Sequence, residues 1–210
     1  MAGNIRNLVL FKLGWVACVL FAAAGEPLLA TAAVALVVAA HLASVPVIVK
    51  EAVLLVAAAV IGMAWESLLV YAGLVRYPGE AGGAALAPYW IVAMWVLFAT
   101  TINHGLRWIK RNWMVAAGAG LIGGPLAFVG GAGMGAVEFS NTPLALAAIG
   151  AGWALLLPML ALAADTIIDS AWLEPHDGLL TERRVARPAP LSGAEPVPVR
   201  VFEKESNRVQ

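Results

Sequence analysis

The chain has 210 residues, of which 61% are hydrophobic and 12% charged, with a mean hydropathy of +0.85 and a formal net charge of zero. Too little polar surface is available to coat a soluble globule, so the composition places the chain in lipid. No basic excess points to nucleic acid, and a single cysteine, Cys18, excludes disulfide frameworks and cysteine-rich metal sites.

A bilayer core of about 30 Å takes roughly 20 apolar residues per helix, and each helix must pair its own backbone polar groups. Six runs on that scale follow in order: 8–24, 28–49, 52–75, 87–106, 113–132 and 143–164. The first, with Arg6 and Lys12 near its start and Ala22-Ala23-Ala24 at its end, has the outline of a signal peptide. More apolar sequence follows at once, so a membrane helix is expected instead. Gly25-Glu26-Pro27 marks a tight turn, with proline suited to the next helix start. The second and third runs are divided only by Lys50-Glu51, and their joint length predicts a hairpin at that pair. The remaining breaks are Arg76 to Gly83, Arg107 to Asn112, and Gly133 to Asn141.

The expected fold is therefore all-α: a polytopic bundle of six transmembrane helices over residues 1–170. Lys and Arg in short connections set its direction. Arg6, Lys12, Lys50, Arg107, Lys110 and Arg111 fall on one side and Arg76 alone on the other, which puts both termini in the cytoplasm. Glu26, Glu80 and Glu138 then lie outside, and Tyr77, Tyr89, Trp90, Trp108 and Trp113 fall near interfaces. Past Glu174, prolines 175, 188, 190, 196 and 198 among charges predict a disordered cytoplasmic tail over 171–210.

Glycines indicate where helices meet. Ala116, Gly120, Gly124, Ala127 and Gly131 recur at three- or four-residue spacing and make a packing groove, with Gly123 beside it. Pro125 and Pro158 remove backbone donors within their runs and predict kinks.

Polar groups inside the runs are the candidate functional residues. Glu66 lies in the third run, where burying a carboxylate costs several kcal/mol. Gly62 and Gly73 fall on about its face and predict a close neighbouring helix. The bland reading is an interhelical hydrogen bond, and the functional one a proton, cation or headgroup site. Thr100, Thr101, Asn103, His104 and Arg107 gather at the end of the fourth run, with Thr100, His104 and Arg107 on one helical face and His41 at comparable depth. Two histidines with Asp165 have the chemistry of a metal site or proton relay, but no spaced ligand motif accompanies them. An interhelical hydrogen-bonded network is the expectation, with no metal and no cofactor. Asp165 and Asp169 end the sixth run against the helix dipole, so cations among Arg107, Lys110 and Arg111 are their expected partners. Serine-nucleophile, phosphate-loop and nucleotide fingerprints are not found.

The stretches Phe11-Lys12-Leu13-Gly14-Trp15, Thr100 to Trp108, Gly123 to Phe128 and Gly135 to Phe139 together resemble a family of small bacterial inner-membrane proteins of unknown function. The resemblance covers about residues 7 to 165, and Glu66 stands where that family more often shows an aspartate. It implies no activity. It implies a lipid context, because such proteins often neighbour enzymes that modify unsaturated membrane fatty acids, such as cyclopropane-forming synthases. Membrane lipids, and the enzymes that modify them, are therefore the expected partners, and a bacterial inner membrane the expected location. The leading functional reading is a non-enzymatic accessory in membrane-lipid modification or envelope maintenance. The alternatives are a small proton-coupled transporter using Glu66 and an intramembrane lipid enzyme using His104 with Asp165 or Asp169.

Overall fold

The computed structural model describes residues 2–78 and 86–169. The proposed tail at 171–210 and the connection carrying Glu80 lie outside the described residues.

Each apolar run forms a helix: α1 (Ala2–Ala23), α2 (Pro27–Leu42), α3 (Ile48–Tyr71), α4 (Tyr89–Ala99), α5 (Trp113–Gly133) and α6 (Thr142–Asp169). A short 3₁₀ helix, Arg107–Arg111, precedes α5. Among the described residues the architecture is all-α apart from a two-residue antiparallel pair, β1 (Val75–Arg76) with β2 (Glu138–Phe139). That pair ties the α3 exit to the α5–α6 connection, and Arg76 forms an ion pair with Glu138 across it.

Four helices, α1, α3, α5 and α6, are long and apolar enough to cross a membrane. The other two are shorter than expected. At 16 and 11 residues, α2 and α4 extend roughly 24 and 16 Å at 1.5 Å per residue, short of the bilayer core of about 30 Å.

Local chemistry explains both differences. The expected hairpin at Lys50-Glu51 lies instead at residues 43–47, because Pro46 disfavours helix at Val45. Glu51 is thereby drawn into the first turn of α3, where a carboxylate suits the helix dipole. The fourth run stops at Ala99. Thr100 Oγ1 donates to the Leu97 carbonyl at 2.7 Å and Thr101 Oγ1 to that of Phe98 at 2.6 Å, competing with the helical ladder. The chain continues through turns to Leu106. Thr100, His104 and Arg107 therefore do not share a helical face as expected, and Arg107 is exposed.

The helices that run away from the N-terminal end close alike. After α1, α3 and α5 come Gly25, Gly73 and Gly135, all at positive φ, the only such residues among those described. In each case the next residue's N–H returns to a carbonyl of the last turn: Glu26 to Phe21, Leu74 to Leu69 and Ala136 to Gly131. This is the Schellman termination, in which glycine avoids the Cβ penalty of left-handed backbone. Gly73 thus ends α3 and does not extend its packing groove, a correction to the expected face.

The core is built around α4, whose Trp90, Ile91, Met94, Trp95, Leu97 and Ala99 are all buried. It packs on α1, α2 and α3, while α5 packs closely on α6. Gly120 and Gly124 meet Trp153 of α6: a β-carbon at Gly120 would overlap the Trp153 carbonyl, and one at Gly124 its ring. Gly150 answers from α6 beside Leu121 and Pro125. Gly123 stands apart from this contact, with open space where a side chain would begin. Both helices continue through Pro125 and Pro158.

Candidate functional site

The polar candidates separate into two groups, one towards each end of the bundle. Glu66, on α3, is fully buried. Its Oε1 accepts from the Trp95 indole N–H at 2.8 Å and its Oε2 from the Tyr77 hydroxyl at 2.6 Å. Gly62, one turn earlier, has no side chain to hold Trp95 off, so the close neighbour expected there is Trp95 of α4. Tyr77 and Trp90, expected at an interface, are instead buried edge-on to each other at 5.3 Å between ring centroids. Burial, then the adjacent Glu66 carboxylate, pushes the Tyr77 phenol well above its ordinary range, which keeps it a donor.

From Glu66 one line of contacts crosses four helices. Trp95 stacks on Trp153 with centroids 4.6 Å apart, and Trp153 rests on Gly120 and Gly124 of α5. Beside this line lies a cavity of about 540 Å³ between α1, α4, α5 and α6. Five of the chain's eight tryptophans line it: Trp15, Trp90, Trp95, Trp108 and Trp153. Glu66 and Lys12 are the charged residues in its wall. Lys12 sits over the Trp15 ring, 4.6 Å from its centroid. At the rim, Leu126 and Trp108 are exposed by 64% and 48%, so the cavity opens on the bundle surface.

The second group gathers at the N-terminal end of α1. His41 Nε2 lies 3.4 Å from Glu51 Oε2, and His104 Nε2 lies 3.2 Å from Glu51 Oε1. Asn103 Nδ2 donates to Glu51 Oε1 at 3.2 Å. Lys110 donates to Asn103 Oδ1 at 3.0 Å and pairs with Asp165 at 2.6 Å. The structure thus joins His41, Asn103, His104 and Asp165 in one network, with Lys110, one of three cations expected there, meeting Asp165. Asp169 is exposed at the end of α6.

Three participants were not singled out from the sequence. Glu51 had been read as a turn residue, and its place followed from Pro46. Asn7 of α1 donates to the Thr100 carbonyl at 3.0 Å and accepts from the Gly105 N–H at 3.2 Å, satisfying the backbone that α4 leaves unwound. Tyr77 approaches Glu66 only because Gly73 turns the chain back.

A family model described as "protein of unknown function" matches residues 4–159. The chain belongs to the DUF2878 family. Both groups and the cavity are built largely within the matched DUF2878 segment, which takes in every residue named above from Asn7 to Trp153. Asp165 and Asp169 fall beyond it. No curated protein and no solved structure matches the chain.

Proposed function

We propose that the chain is a non-enzymatic membrane protein that holds one apolar chain of a membrane lipid in the cavity between α1 and α5, as an accessory in membrane-lipid modification. The observation that carries this reading is the tryptophan-lined cavity of about 540 Å³ opening past Leu126 and Trp108. Its size falls within the roughly 300–1,000 Å³ usual for ligand sites. Its rim faces the same apolar exterior as Leu121 and Ile122, so a lipid tail can enter sideways without crossing water. Two carboxylate oxygens engaged with Trp95 and Tyr77 favour an anchoring role for Glu66 over a proton-carrying one.

In this reading all six helices cross, α2 and α4 as short spans, with both termini cytoplasmic and the membrane the inner membrane of a bacterium. The six-to-one division of cations between the two sides supports that direction.

The test is lipid extraction from detergent-purified protein alongside a cavity-filling variant, Gly123→Phe, whose new ring starts in open space at the cavity wall. We expect about one lipid of restricted composition per wild-type chain and its loss in the variant. Wild-type protein carrying only bulk lipid, or a variant retaining the same lipid, would overturn the proposal.

A further inference from the structure

We propose that His41, Glu51 and His104 bind one divalent transition-metal cation of the zinc class, with its open coordination position facing a small polar pocket. The site is separate from the lipid cavity and does not rest on the lipid reading.

Three segments converge on it: the last turn of α2, the first turn of α3 and the unwound link after α4. His41 and Glu51 are buried, and the three ligand atoms lie within 4.8 Å of one another. Side-on geometry brings them together, because the two imidazoles meet edge to face, 4.9 Å between centroids and 82° between planes.

The distances leave room for a cation between these groups. Charge-assisted N–H···O bonds run to about 2.7–2.9 Å, and neutral ones to about 3.2 Å. The 3.4 Å and 3.2 Å separations about Glu51 sit at or beyond that limit. Ligands about 2.0–2.1 Å from a tetrahedral zinc are spaced roughly 3.3–3.4 Å apart, and His41 Nε2 already stands 3.4 Å from Glu51 Oε2. His104, 3.2 Å from the other carboxylate oxygen, completes the set by closing on His41.

The donor set fits as well. Two imidazoles with one carboxylate is a set used by zinc sites that keep a fourth position for water or substrate. Two nearby cations are engaged elsewhere: Lys110 with Asp165, and Lys50 with the Ile168 carbonyl at 2.6 Å. Asn103, bonded to Glu51, is the positioning residue that fixes the carboxylate. The two histidines also border a pocket of about 170 Å³ with Asn4, Arg6, Asn7, Ser44 and Thr100 in its wall. Those groups can hold a metal-bound water or a small oxygen ligand.

The experiment titrates Co²⁺ into untagged, full-length, chelator-treated protein in detergent, reading its visible absorption, and then competes it with Zn²⁺ or Mg²⁺. We expect one Co²⁺ per chain, displaced by Zn²⁺ and not by Mg²⁺. Asn103→Ala should weaken binding by about 10–100-fold, as loss of an outer-shell partner does, and His41→Ala or His104→Ala by more. His176→Ala, removing the third histidine, should leave binding unchanged. His104 has a partly exposed side chain, so its replacement spares the core, and the wild-type titration needs no variant. Absence of one-equivalent binding, displacement by Mg²⁺, or binding that depends on His176 and not on His104 would overturn the proposal.

Discussion

Trp95 lies against the backbone of Gly62 so closely that a β-carbon there would overlap its indole ring. This approach sets the Trp95 N–H on Glu66. Gly62→Ala should therefore cost about 1–3 kcal/mol, the usual penalty of overpacking. Gly118→Ala supplies the contrast, because nothing lies within 4 Å of its added methyl and helical backbone gains about 0.5–1 kcal/mol. Thermal unfolding in detergent should move in opposite directions for the two.

Glu66→Leu leaves the Tyr77 hydroxyl and Trp95 N–H buried without their acceptor, at about 1–3 kcal/mol each. Combining it with Tyr77→Phe isolates their interaction. The double-mutant cycle should return a coupling of about 0.5–3 kcal/mol. Additive effects would show that Tyr77 and Glu66 do not act as a pair.

Asn7→Ala removes two of the contacts that hold the link from Thr100 to Leu106, leaving those of Asn103 and His104 with Glu51. Amide hydrogen exchange should rise in that link and stay unchanged in α5. Equal protection in variant and wild type would mean that the contacts of Asn103 and His104 with Glu51 suffice.

Alkaline titration reads the Tyr77 environment directly. Its phenol is raised in the folded state above the ordinary value of about 10, so its contribution to stability is full below that pH and is lost as pH rises through the raised value. A delayed component of phenolate absorption should accompany loss of near-ultraviolet circular dichroism, and Tyr77→Phe should remove it.

Helix count was legible in the sequence because apolar length is a one-dimensional signal. Helix ends were less so. Thr100 and Thr101 sit within an apolar run, and only their side-chain bonds to Leu97 and Phe98 reveal that the helix stops before them. His41 and His104 were visible as buried polar residues, whereas Glu51 was not, since Lys50 beside it made the pair resemble a solvated turn. Backbone restriction at Pro46, ahead of charge, sets the turn between α2 and α3. Tyr77 was assigned to an interface by composition, and its burial depends on a strand pairing 62 residues away that no local pattern encodes.

Set in a bilayer, the unequal helices give the surrounding lipid an uneven frame. Beside α2, whose Leu28 and Leu36 face outward, the apolar wall is roughly 24 Å tall, while α6 extends roughly 42 Å. Where α2 crosses as proposed, lipid on its flank would thin or splay to meet it, at fractions of a kcal/mol per Å of mismatch. The molecule would favour regions where acyl chains are short, unsaturated or loosely ordered, and would create such a region where none exists.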